Sequence, residues 1–90
     1  MATKPVADTA FQPGEFIREE IEERGISQRE LARQMGRPYQ TVNEIVNGRK
    51  VVTAETALDL ERVFGGNAET WLNLQMTFDL ITARQRRAAN

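Results

Sequence analysis

In six consecutive positions the chain sets out five side chains that can meet the edges of nucleic-acid bases: Tyr39, Gln40, Thr41, Asn43 and Glu44. Gln and Asn amides can each bond adenine with two hydrogen bonds, Thr can meet a thymine methyl, and Glu can accept from cytosine N4. Val42, Ile45 and Val46 are interleaved with them. On a helix these three aliphatics turn inward, which leaves the five polar side chains and Asn47 outward or at the edges. Arg37 precedes the group and Arg49 and Lys50 follow it. Such cations suit phosphate oxygens, whose contacts set register and leave sequence choice to the bases.

Other chemistry is poorly supplied. The chain has no cysteine and no histidine, which removes disulfides, thiolate chemistry, the usual zinc ligands and the commonest general base. No metal and no cofactor are expected. Glutamates 15, 19, 20, 22 and 23 could in principle act as acids or bases. They fall on an exposed helical face with no pocket or ligand set implied around them, and those early in the helix complement its dipole. An enzyme is therefore the least favoured reading.

The formal net charge of −1 hides a polarised chain. Residues 15–24 carry those five Glu against Arg18 and Arg24, whereas residues 27–50 carry Arg29, Arg33, Arg37, Arg49 and Lys50 against Glu30 and Glu44. Distribution outweighs the sum for a nucleic-acid binder. Arg29 and Arg33 fit a solvated helix surface better than a bound one.

The elements that must position these groups are legible from caps and periodicity. Ser27 and Glu30 have the form of a capping box that starts a helix at about residue 28. Gly36 stops it, and Pro38 fits the first turn of the next. Leu31, Met35, Val42 and Ile45 give the two short helices one buried stripe each, and Ala32 is small enough for close approach. The pair is a helix-turn-helix, with Arg37 expected to be exposed at the turn. An all-α chain of five helices follows, over about 14–24, 28–35, 38–47, 54–64 and 68–84, with Phe16, Ile17 and Ile21 inward on the first and Ala57, Leu60 and Phe64 sharing a face of the fourth. Residues 13–84 form the domain, residues 1–12 a mobile arm, and residues 85–90 a short basic tail.

The last helix carries two apolar stripes. At about 100° per residue, Trp71, Leu74, Phe78 and Ile81 cluster on one side and Leu72, Met76 and Leu80 nearly opposite. The first suits a core. The second would be left in water by a monomer this small, so Leu72, Met76 and Leu80 are expected in a self-complementary homodimer interface, ahead of extra packing within the chain. No apolar run approaches the roughly 18 residues of a membrane span, and the opening MATKPVADTA lacks the apolar block of a signal peptide. A cytoplasmic chain without membrane contact is expected.

Leu31-Ala32, Gly36, Val42, Ile45 and Asn47-Gly48-Arg49 resemble the phage-repressor and Cro type of helix-turn-helix, the XRE family. More narrowly, RPYQTVNEIVNGRK, TAETALDLERVFG, WLNLQ and FDL look like HigA antitoxins, a resemblance running from about Pro13 to Arg84. It departs from the pattern at Arg37, where such turns often carry a small apolar residue. The phage-repressor resemblance implies that Gln40 and Glu44 read bases with Tyr39 and Thr41 beside them, and that Gln28 and Asn47 contact phosphates. The HigA resemblance implies a dimer that represses its own operon at a double-stranded DNA operator. It also implies neutralisation of a HigB-like endoribonuclease toxin, for which acidic Glu19 and Glu23 offer a complementary surface. A stand-alone repressor of the same fold is the alternative, and an interaction module that has lost DNA binding stands third.

Overall fold

Most helix ends fall at residues whose chemistry favours them. The computed structural model describes residues 10–89, and among them are five helices and no strand: α1 (Pro13–Arg24), α2 (Gln28–Met35), α3 (Tyr39–Val46), α4 (Ala54–Phe64) and α5 (Ala68–Ala89). Pro13 opens α1, and the Gln12 N–H donates to Glu15 Oε2 at 3.4 Å. Ser27 Oγ accepts from the Glu30 N–H at 3.1 Å, Thr53 Oγ1 from the Thr56 N–H at 3.3 Å, and Asn67 Oδ1 from the Thr70 N–H at 3.0 Å. These side-chain oxygens satisfy amide hydrogens that the first turn leaves without a partner. Gly36 closes α2 at φ 73°, a left-handed conformation that costs a glycine little.

Three expectations change. The Glu30 carboxylate does not turn back to complete a capping box; Arg33 and Gln34 donate to it from within the same helix. Pro38 is the extended residue before α3, at φ −60° and ψ 145°, so the helix begins at Tyr39 and ends at Val46 with Asn47 as its cap. The basic tail is no tail through residue 89, because α5 continues to Ala89. Arg84, Gln85, Arg86, Arg87, Ala88 and Ala89 are all strong helix formers without a glycine or proline to stop them, and the arginines complement the negative end of the dipole. Of the expected arm, residues 1–9 lie outside the described residues.

The core joins α1, α2, α3 and α4, with α5 laid across α4 and α1. Leu31, Ala57 and Leu60 are wholly buried, and Ile17, Val42, Ile45 and Val46 close around them. A Cβ on Gly14 would lie 2.3 Å from the Val46 carbonyl oxygen and 2.6 Å from that of Ile45. Glycine there lets α1 rest directly on the C-terminal end of α3. Arg62 of α4 donates to the carbonyls of Gln34 at 2.9 Å and Met35 at 3.1 Å, satisfying acceptors that the end of α2 leaves open. The helix-turn-helix is thereby clamped from both sides.

On α5, Trp71 and Ile81 are buried, Leu74 and Phe78 half-buried, and the Trp71 ring stands 6.1 Å from that of Phe64. The second stripe divides. Leu72 is half-buried and packed against the core, whereas Met76 is 60% and Leu80 47% exposed. Gln75, beside Leu72 on the same helix, accepts from the Val52 N–H at 2.8 Å and ties α5 to the connection before α4.

Candidate nucleic-acid interface

α3 turns Val42, Ile45 and Val46 into the core, as their spacing with α1 and α2 requires. Its opposite side carries Tyr39 and Gln40 exposed and Thr41, Asn43 and Glu44 half-buried. Two cross-links tie this face to α2. Asn43 Nδ2 donates to Gln28 Oε1 at 2.9 Å and lies 3.4 Å from the Tyr39 hydroxyl oxygen, while the Arg29 guanidinium stacks 4.1 Å from the centre of the Tyr39 ring. A cation over an aromatic face is attracted by the ring quadrupole. Side chains held this way lose less freedom when a ligand arrives.

The C-terminal edge of α3 gathers the other polar groups. Asn47, Arg49 and Lys50 are all exposed. Lys50 Nζ stands 3.5 Å from Glu44 Oε1, and the N–H groups of Arg49 and Lys50 donate to the Glu44 carbonyl at 2.8 and 3.2 Å. Arg18 of α1 donates to Asn47 Oδ1 at 3.2 Å. Gln28 and Asn43, and Glu44 and Lys50, are thus brought together along the outer side of α3, with Gln40 and Asn47 on that side by helical spacing and Tyr39 and Thr41 at its two edges.

Arg37 departs from its expected exposure. Its Nε donates to Asp59 Oδ2 at 2.6 Å, and its side chain is 35% exposed. Asp59 also accepts from Arg62 at 3.2 Å, so the turn cation is drawn toward α4. Glu19 and Glu23 stand exposed on α1.

Two arginines beside α3, Arg29 and Arg18, carry no signal in the sequence that places them there. Arg29 carries no mark that separates it from a solvated helix residue until Tyr39 is seen beneath it. Arg18 sits 29 positions from Asn47, and no local pattern joins them.

Two short helices crossed over a glycine turn, with a polar outer face on the second, define a helix-turn-helix protein. The helix-turn-helix family model (HTH_3) matches residues 17–71. The chain is 44% identical over 77 residues to Virulence-associated protein I of Dichelobacter nodosus, covering 84% of this chain and 71% of that protein. It is 39% identical over 74 residues to antitoxin HigA-1 of Vibrio cholerae, covering 81% of this chain and 70% of the relative. Among solved structures it is similar to Pseudomonas aeruginosa antitoxin HigA with the higBA promoter, at a TM-score of 0.85 and 35% identity over 90% of this chain and 89% of that one. The chain belongs to the helix-turn-helix family, in its HigA antitoxin branch.

Proposed function

We propose that this chain is the DNA-binding antitoxin of a toxin–antitoxin pair, which represses its own operon and neutralises a HigB-like, mRNA-cleaving toxin. The observation that carries the reading is the outer face of α3, where base-reading types stand clear of the core and are tied to α2. In helix-turn-helix proteins the second helix enters the major groove and its N-terminal residues reach base edges. Gln40 and Glu44 read bases in this account, with Tyr39, Thr41 and Asn43 beside them. Gln28, Asn47, Arg49 and Lys50 hold the phosphates on either side. Arg37 joins them by exchanging Asp59 for a phosphate oxygen.

The protein acts as a homodimer in the cytoplasm. One reading helix spans few base pairs, whereas two related by a two-fold axis occupy successive major grooves about 34 Å apart. Met76 and Leu80 form the centre of the pairing surface and Leu72 its inner edge, with its other side on the core. Among the described residues no helix is long and apolar enough to cross a membrane. Toxin binding falls to the acidic face of α1, through Glu19 and Glu23, because a partner that cleaves RNA presents a basic surface.

A gel shift on the chain's own promoter tests the DNA half, with a retarded band expected on the promoter at salt concentrations that abolish binding to random DNA. Co-purification with the product of the flanking reading frame tests the other half. Promoter binding without a co-purifying partner would make the chain a stand-alone repressor.

A further inference from the structure

We propose that Arg18, on α1, is a further phosphate-binding residue and that it also orients Asn47 for its own phosphate contact; the inference rests on α3 lying in the groove. A guanidinium has donors only. When Arg18 donates to Asn47 Oδ1 at 3.2 Å, the amide must turn its oxygen toward α1, and its Nδ2 hydrogens then point away. Among the described residues no acceptor is recorded for those hydrogens, and both side chains are exposed. A phosphate oxygen beside Asn47 would meet the amide hydrogens and the remaining guanidinium donors together.

The backbone makes this meeting a consequence of the fold. Gly14 seats α1 on the Ile45 and Val46 carbonyls. Arg18 lies four residues on, one helical turn along the same face, and so arrives at the end of α3. The other arginine of this helix is engaged elsewhere: Arg24 bonds Glu20 at 3.1 Å and the Phe64 carbonyl at 3.0 Å, and lies over the Phe64 ring. Among the described residues no carboxylate pairs with Arg18. Arg18, on an otherwise acidic helix, and Asn47 and Arg49, at the C-terminal end of α3, therefore present donors and positive charge, with no acidic side chain recorded against them among the described residues.

A cation beside a helix C-terminus also stabilises the helix itself, and the test separates the two roles. Binding of the full chain to its promoter and to random DNA is measured against salt for Arg18→Gln, Arg18→Lys, Asn47→Ala, the Arg18→Gln/Asn47→Ala pair and Arg49→Ala, alongside thermal melts. Arg18→Gln is expected to weaken both DNAs equally, on the order of tenfold. It should flatten the log affinity against log salt slope by about 0.9 per protomer without moving the melt. Arg18→Lys should restore the slope. In the Asn47→Ala background the Arg18→Gln loss should shrink, because the amide it orients is gone. An unchanged slope for Arg18→Gln, with a flattened one for Arg49→Ala, overturns the proposal and leaves the DNA reading standing. If neither variant changes the slope and the wild type does not prefer its promoter, both fall.

Discussion

The outward faces of α3 and α5 are built on opposite plans. On α3 the outward groups are polar and several are already partnered within the domain: Asn43 by Gln28, Tyr39 by Arg29 and Glu44 by Lys50. On α5 the exposed groups include Met76 and Leu80, large apolar side chains facing solvent. Water solvates the first face well, so order there must come from cross-links, and that order favours a ligand needing fixed donors and acceptors. Apolar surface needs no pre-set geometry. It gains free energy simply by being covered, at roughly 25 cal/mol per Å². The two helices therefore suit two kinds of partner, a polar template for α3 and a second apolar surface for α5.

The sharpest way to break that contrast is to place a charge on α5. Leu80→Glu would set two like charges near the proposed self-complementary contact, and an unpaired buried carboxylate costs several kcal/mol. The helical signal should survive because Trp71 and Ile81 keep their own packing. Operator affinity should fall by ~10² to 10⁴ through lost bivalency. Sedimentation and operator titration read both effects, and a variant still dimeric and still tight would assign the α5 face another use. Leu72→Glu should behave differently, unfolding the domain more readily, because Leu72 also leans on the core.

A smaller effect probes α3. Gln40→Ala should cost ~1 to 3 kcal/mol of discrimination at one position of each half-site, with random-DNA binding retained. Equal losses on both DNAs would remove Gln40 from base reading. The support behind α3 is probed by Gly14→Ala, whose methyl meets the Val46 carbonyl. Overpacking of this kind costs ~1 to 3 kcal/mol, visible as a lowered thermal midpoint, and an unchanged midpoint would show that α1 can move off α3 freely.

The smallest effect lies on α2. Hydrogen bonds from Arg33 first and Gln34 second pull the Glu30 carboxyl from 4.5 down to about 2. A folded value below the unfolded one means stability that is fully present above the unfolded value and lost as pH falls toward the folded one. Wild type should therefore lose slightly more stability than Glu30→Gln between about pH 4.5 and about pH 2. Parallel acid melts would show that this exposed cluster contributes nothing, as many surface pairs do.

Much of the fold was legible because its signals are local. Ser27, Gly36 and Thr53 mark helix ends by short-range chemistry, and the inward residues of α1, α3 and α4 follow from a 3.6-residue period. The exposed Met76 and Leu80 were legible for the same reason, as a second stripe. What escaped depends on how helices pack. Arg37 finds Asp59 22 positions away, and no local rule says which cation meets which carboxylate. The Glu30 carboxylate had several donors in reach and went forward to Arg33 and Gln34 instead of back to the cap. The end of α5 lies beyond the expected residue 84 because the basic residues there have the propensity to continue the helix and no breaker follows them.

Reading of a specific DNA sequence falls to α3 in the proposed function. It is tested most directly by titrating the wild-type chain on its own promoter and on a base-scrambled fragment of equal length, across a range of salt. The promoter should bind more tightly by at least ~10³, and both fragments should show a steep salt dependence from phosphate contacts. Superimposable isotherms on the two fragments would contradict the account, because phosphate contacts alone would then explain all the binding.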